Sequence, residues 1–366
     1  MIRTEEMLLN VGPQHPSTHG VFRLVLKIDG EVIVEAKPVI GYLHRGTEKI
    51  AENLQYTQII PYTDRLDYVS AMTNNYVIVH AVETMMGIEI PERAEYLRVL
   101  AMELNRVASH LLWWGTFILD FGATSPLLYA FRDREMILNL LNELSGARLT
   151  FNYMRVGGVK WDAPEGWLEK VSDFVTYLRG QIKGYHQLVS GNEIFLNRTK
   201  GIGKYTKEDA INYSLSGPNL RSTGVKWDLR KDEPYSIYDR FDFDIVTREE
   251  GDVLARYYCR LGEIEESLKI IEQAVEQFPK EGEIMAKVPK IIKAPKGEAF
   301  VRIEGSRGEI GCYISSDGKK EPYRLKFRRP SFYNLQILPK LLEGQNISNL
   351  IAILGAVDIV LGEVDG

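Results

Sequence analysis

Residues Phe22 to Ile28 and Glu31 to Ala36 alternate apolar and polar side chains on either side of Asp29-Gly30. Such alternation around a pair that tolerates positive φ predicts a β-hairpin with a type I′ turn. The segment Gly12 to Gly20 then stands at the entrance to a strand. From about Tyr42 to Gln187 the period lengthens to that of a helix. Leu97, Leu100, Leu104, Val107 and Leu111 fall at 3-4-3-4 spacing and make one apolar stripe, with Pro91 in a first-turn position. A second stripe comprises Leu254, Tyr257, Leu261, Ile264, Leu268, Ile271 and Val275, with Glu265 four residues before Lys269 and a candidate capping box from Thr247 to Glu250. Both predict core helices of a bundle.

Between those helices, Gly191 to Asp244 is rich in Gly, Asn, Ser, Asp and aromatic residues with little periodicity, which predicts irregular structure over the bundle. Phe300 to Glu304 and Ile310 to Ile314 alternate like strands around a turn at Gly305 to Gly308, and Asn334 to Val357 returns to a helical pattern. No internal repeat interrupts this order. The expected fold is α+β: a mainly helical core bundle with an N-terminal β-hairpin region and a small C-terminal β element. Residues 1–40 form the hairpin region and 41–366 the helical core, with the irregular insert at 191–244 and the β element at 297–328, as one structural unit.

Composition narrows the function. Lys+Arg 45 against Asp+Glu 50 gives a net charge of -5, without the basic excess that tracks a phosphate backbone, so nucleic acid is not an expected partner. The most apolar stretches, Leu111 to Leu119 and Ile351 to Val357, fall well short of the roughly 20 residues needed to span a bilayer. The N-terminus is acidic and has no apolar signal core, which points to the cytoplasmic compartment. Two cysteines, Cys259 and Cys312, exclude a disulfide framework and any Cys-rich metal or iron–sulfur site built by this chain alone. Gly201-Ile202-Gly203 and the spaced Gly305, Gly308 and Gly311 lack the strand-to-helix context of a dinucleotide loop and are turns.

Gly12 to Gly20 holds two of the six histidines, His15 and His19, between glycines and prolines. Such a loop can present imidazoles into a cavity or merely cap backbone groups, and the residues alone leave both open. Metal binding is disfavoured, because Pro16 opposes a helical His face and no acidic or cysteine ligand lies nearby. Pro61 to Tyr68 packs two phenols, two carboxylates and a guanidinium into eight residues. The common form of such a cluster is an N-terminal helical turn with solvated charges. Asp120 closes the apolar stretch from Leu111 and either caps the next segment or faces a cavity; capping is the commoner role. His80, His110 and His186 lie in helical patterns and fit core or surface positions better than ligands, whereas His44 is ambiguous.

Taken together, Gly12-Pro-Gln-His-Pro-Ser-Thr-His-Gly20, Gly41-Tyr-Leu-His-Arg-Gly46, Glu103-Leu-Asn-Arg106, Leu215-Ser-Gly-Pro218, Trp227-Asp-Leu-Arg230 and Leu361-Gly-Glu-Val-Asp365 resemble the quinone-site subunit family of respiratory complex I, a relative of nickel–iron hydrogenase large subunits. The resemblance runs from about residue 8 onward. It implies a hydrogenase-large-subunit-like fold and a peripheral subunit on the cytoplasmic face of the inner membrane. It further implies that His19 and Tyr68 hold the quinone headgroup, with His15 and Thr116 beside it and Asp120 contacting His19. Arg65, and Thr150 in Gly146-Ala-Arg-Leu-Thr150 where many members carry His, would lie near a 4Fe-4S cluster of the partner subunit.

By the same resemblance the chain binds no redox cofactor of its own and takes quinone as substrate. Its partners would be the iron–sulfur subunit of the B type, other peripheral-arm subunits and a membrane-arm subunit at the quinone entrance, with NADH or ferredoxin as the distant donor. A hydrogenase-type large subunit would need four cysteines in two Cys-x-x-Cys pairs. A purely structural subunit would tolerate replacement of the loop and of Tyr68.

Overall fold

The computed structural model describes residues 6–13 and 20–366. Three strands open the chain, β1 (Glu6–Val11), β2 (Arg23–Asp29) and β3 (Val32–Val39), in an antiparallel sheet of order β1-β2-β3. The hairpin stands where alternation puts it, but its turn is Gly30-Glu31. Asp29 still pairs with Val32, the register shifts after Lys27, and of the turn residues only Gly30 has positive φ. A type I′ turn needs two such residues, so this turn is of another type, and the bulge lies beyond it, where the register shifts between Lys27 and Ile28. β1 escapes the pattern because it has no buried face: Met7 is 59% and Leu8 71% exposed.

Helices follow: α1 (Thr47–Ala51), α2 (Tyr56–Thr63), α3 (Ala71–Met86), α4 (Glu92–Leu119) and α5 (Thr124–Ser145). A two-residue pair, β4 (Met154–Arg155) with β5 (Gly158–Val159), precedes α6 (Trp167–Tyr185). The insert folds into short helices α7 (Glu193–Thr199), α8 (Lys207–Asn212), α9 (Gly217–Arg221) and α10 (Leu229–Asp232). The long α11 (Val253–Glu276) leads to β6 (Gly297–Gly305), β7 (Gly308–Ser316) and β8 (Arg324–Arg328), a second antiparallel sheet. The last helices are α12 (Pro330–Leu335), α13 (Leu338–Leu342), α14 (Leu350–Val357) and α15 (Leu361–Asp365). The architecture is α+β, and no helix among the described residues is long and apolar enough to cross a membrane.

The two stripes are at the centre. All five stripe residues of α4 are fully buried, and α4 packs against α5 and α11. The cap of α11 is Asp252, whose carboxylate accepts from Ala255 N at 2.7 Å, and not the Thr247 to Glu250 box. Arginines pin the insert to this core. Arg230 reaches Glu103 of α4 at 3.0 Å, and Arg221 reaches Glu263 of α11 and Glu304 of β6, both at 2.8 Å, with every one of these side chains buried. Pairing of this kind offsets the desolvation cost of burying the charges. Three motifs of the resemblance, Glu103 to Arg106, Leu215 to Pro218 and Trp227 to Arg230, lie in or beside this network.

Candidate functional site

Pro61 to Tyr68 is a helix end and not a helix start. α2 terminates at Thr63, and the chain turns through residues 64–70 before α3. The charges are not solvated as expected of a terminal turn: Asp64 and Asp67 are buried. Asp67 fixes this turn. Its Oδ1 accepts from Val69 N at 3.1 Å and Ser70 N at 3.2 Å, and its Oδ2 accepts from Arg307 Nη1 at 2.8 Å. Burial raises the Asp67 pKa, against the pull of Arg307.

Tyr68, held by that turn, is 38% exposed. With Arg65, Tyr42, Leu43, His44 and Gly362 it lines a hollow of about 290 Å³. Partial burial, and then the Asp67 charge, raise its phenol pKa, so it stays a protonated donor at neutral pH. Arg65 is anchored by its own turn, donating to Pro61 O, while Arg45 donates to Arg65 O at 2.5 Å.

The other wall of the hollow comes from far along the chain. Asp365 accepts from the backbone N–H groups of Gly41 and Leu43, both at 2.7 Å, and the His44 Nδ1–H donates to Asp365 O at 2.7 Å. That bond fixes the tautomer of a histidine the sequence leaves ambiguous. Gly20, immediately after His19, abuts α15: a Cβ built on it would stand 3.1 Å from Leu361 Cδ1. His15 and His19 themselves lie outside the described residues.

Arg65 and Thr150 belong to neighbouring segments. Asn152 N donates to Asp64 Oδ1 at 3.5 Å, tying the residue before Arg65 to the stretch that follows Thr150. Burial pushes the Asp64 carboxyl up to about 7, and its Oδ2 has no hydrogen-bond partner.

Thr116 lies on the last turn of α4 and Asp120 just beyond it, and neither lines the Tyr68 hollow. Asp120 is the residue after that helix, with its N–H bonded to Thr116 O at 3.2 Å, and the residue flanking the start of α5 is Ala123, so Asp120 does not cap the next helix. Thr116 lines a second, narrower cavity with Asp358 and Gly355. A charged bridge joins the two places. Arg307 gives Nη1 to Asp67 and Nη2 to Asp358 Oδ1 at 3.2 Å, and burial disfavours its charge less than Asp358 and Asp67 favour it.

Glu363 completes the buried polar set beside Tyr68. Ser331 donates to its Oε2 from the backbone at 3.0 Å and also from its hydroxyl, and burial, with the nearby Asp67, pushes its carboxyl up to about 7. Arg307 does not stand out in sequence, because its partners are distant in the chain, and Glu363 is marked only as a member of the Leu361 to Asp365 motif. Among the described residues no cluster of three or more His, Cys, Asp or Glu could hold a metal ion.

The model of a family described as respiratory-chain NADH dehydrogenase, 49 Kd subunit, matches residues 120–294 and 287–366. A Bacillus cereus protein, named as the D-type subunit of NADH-quinone oxidoreductase, is 83% identical over 366 residues, all of both chains. A Geobacillus kaustophilus protein of the same name is 81% identical over the same full length.

Proposed function

Because the chain belongs to the respiratory-chain NADH dehydrogenase 49 Kd subunit family, we propose that it forms the quinone-reduction site of an NADH-quinone oxidoreductase, with Tyr68 and His19 as headgroup donors. The observation that carries this reading is a half-exposed phenol at the edge of a hollow, on a turn locked by a buried ion pair. Two-electron reduction of a quinone makes a dianion-like product that takes two protons. A phenol of ordinary pKa about 10 and an imidazole of about 6.5 can each donate a hydrogen bond and then a proton to it.

In this reading Asp120 orients the His19 ring and favours its charged form, and Thr116 and His15 contact the headgroup region. Arg65 and Thr150 face the iron–sulfur cluster of a B-type partner subunit, which delivers the electrons, while the chain itself acts as a peripheral subunit on the cytoplasmic face of the membrane. The other peripheral-arm subunits and a membrane-arm subunit at the quinone entrance complete the surroundings. Thr150, lacking an imidazole, would leave the cluster's potential less dependent on pH than a histidine there.

A photoactivatable quinone analogue on the intact membrane complex tests the assignment. Labelling of the peptides that contain His19 or Tyr68, displaced by excess quinone, is the expected result. Label confined to other subunits would overturn it.

A further inference from the structure

The cavity between α4 and the end of α14 is small, about 50 Å³, and carries two polar groups on an otherwise apolar wall. One is Asp358. Its Oδ1 accepts from Arg307, but its Oδ2 is buried with no hydrogen-bond partner, the nearest cation being Arg260 Nε at 3.4 Å. The other is Thr116. Its hydroxyl hydrogen goes to Leu112 O at 3.0 Å or Trp113 O at 3.2 Å, which leaves the oxygen able to accept. The remaining polar edge is closed, since Trp113 Nε1 donates to Gly355 O at 2.7 Å.

A buried carboxylate oxygen without a hydrogen-bond donor is costly, because nothing replaces the hydration it loses on burial. A purely apolar void of this size stays dry, but a polar one needs only roughly 10 to 15 Å³ of probe-centre space per water. This cavity therefore has room for a few waters and an oxygen that requires one. The backbone at Asp358 repeats the point. It is held in the left-handed region, φ 58° and ψ 63°, which only Asn and Asp among residues with a side chain adopt readily. The carboxylate is thus presented to the cavity by a conformation that costs backbone energy.

We infer that this cavity is a built water site, in which ordered water donates to Asp358 Oδ2 and to Thr116 Oγ1, and that Asp358 is a positioning residue for quinone reduction. Through the water it holds the Thr116 end of α4. Through Arg307 it holds Asp67 and with it the turn that carries Tyr68. Asp120 stands next to the lining residue Gly355, its Oδ2 lying 3.3 Å from where a Cβ on Gly355 would be. The functional half rests on the reading of Tyr68 and Thr116 as quinone-site residues, and the hydration half does not.

Both halves are testable on the intact complex. A high-resolution map is expected to show ordered solvent within hydrogen-bond distance of Asp358 Oδ2 and Thr116 Oγ1, and an empty cavity would overturn the water site. Thr116→Val, which removes the accepting oxygen at nearly constant shape, should remove that density and raise KM for quinone about fivefold or more, the equivalent of one lost hydrogen bond, with a smaller change in kcat. Thr116→Ser should restore both. Asp358→Asn, which keeps the left-handed backbone, should act like Thr116→Val.

Unchanged KM in both Asp358→Asn and Thr116→Val would overturn the positioning role. If density is present while Tyr68→Phe leaves quinone kinetics normal, the water site stands and the quinone reading of this surface fails.

Discussion

Gly362 lies beside Tyr68, on the wall of the same hollow. A Cβ built on Gly362 would stand 3.4 Å from Tyr68 Cε1, 3.1 Å from Arg65 O and 2.8 Å from Leu66 O. The last distance leaves no room, and the atom in the way is backbone, so the turn that aims Tyr68 would have to shift. Gly362→Ala should therefore lower stability by about 1 to 3 kcal/mol and raise KM for quinone. Thermal unfolding and quinone titration of the purified complex check this together, and a raised KM without any loss of stability would mean that the ring moved alone.

Tyr68→Phe removes one hydroxyl and keeps the ring. A lost functional hydrogen bond of about 1 to 3 kcal/mol corresponds to a fall in kcat/KM of roughly fivefold to more than a hundredfold, with assembly intact. Turnover with several quinone analogues is the measurement, and normal kinetics throughout would remove Tyr68 from the headgroup site.

Asp120→Asn separates two roles. As a helix-end residue Asp120 would be replaced by Asn at little cost. As the partner of His19 it favours imidazolium, so its neutral replacement should lower the imidazole pKa and move the alkaline limb of the activity profile towards acid. Quinone reduction against pH in wild type and variant decides the matter; superimposable curves would leave only the helix-end role.

Glu363 gives the fold a pH dependence of definite sign. Its carboxyl is pushed from an ordinary 4.5 up to about 7, so between these values the folded chain binds more protons than the unfolded one. Stability from this group is accordingly complete below about 4.5 and declines as pH rises towards 7. Glu363→Gln lacks that slope, and its stability relative to wild type should improve between pH 5 and 8 by on the order of 2 to 3 kcal/mol. Denaturant midpoints at both pH values test it, and a constant difference would show that the Ser331 donors and Arg307 keep Glu363 ionised throughout.

The purified chain should carry no stoichiometric iron. Cys259 and Cys312 are buried on α11 and β7, and burial drives both thiols upward, Cys259 to about 12, whereas a metal ligand must be a thiolate. Metal analysis of the chain freed from its partners is the check, and iron with acid-labile sulfide would contradict the assignment of the cluster to a partner.

What is legible in the sequence follows from local rules. The stripes of α4 and α11 and the alternation of β2 each repeat within one element and follow burial closely, whereas burial along β3, β6 and β7 does not alternate strictly. Asp64 and Asp67 read as solvated, wrongly, because their partners, Asn152 and Arg307, lie 88 and 240 residues away. Glu363 is visible only as part of its motif, its pairing with Ser331 lying 32 residues away, and His44 is undecidable until Asp365, 321 residues on, is beside it. Tyr68, Thr116 and Asp120 are singled out by family resemblance, since nothing in their own spacing distinguishes a clamp from a turn.

The clasp between Asp365 and the Gly41 and Leu43 amides spans 324 and 322 residues of chain. Contacts that close so long a loop form after local ones, because the ordering they require is rewarded only once the intervening chain is compact. The hollow beside Tyr68 is therefore expected to be among the last features to mature during folding. A chain with a finished helical core can still lack a competent pocket, so the appearance of quinone binding would report completed folding more faithfully than helix content does.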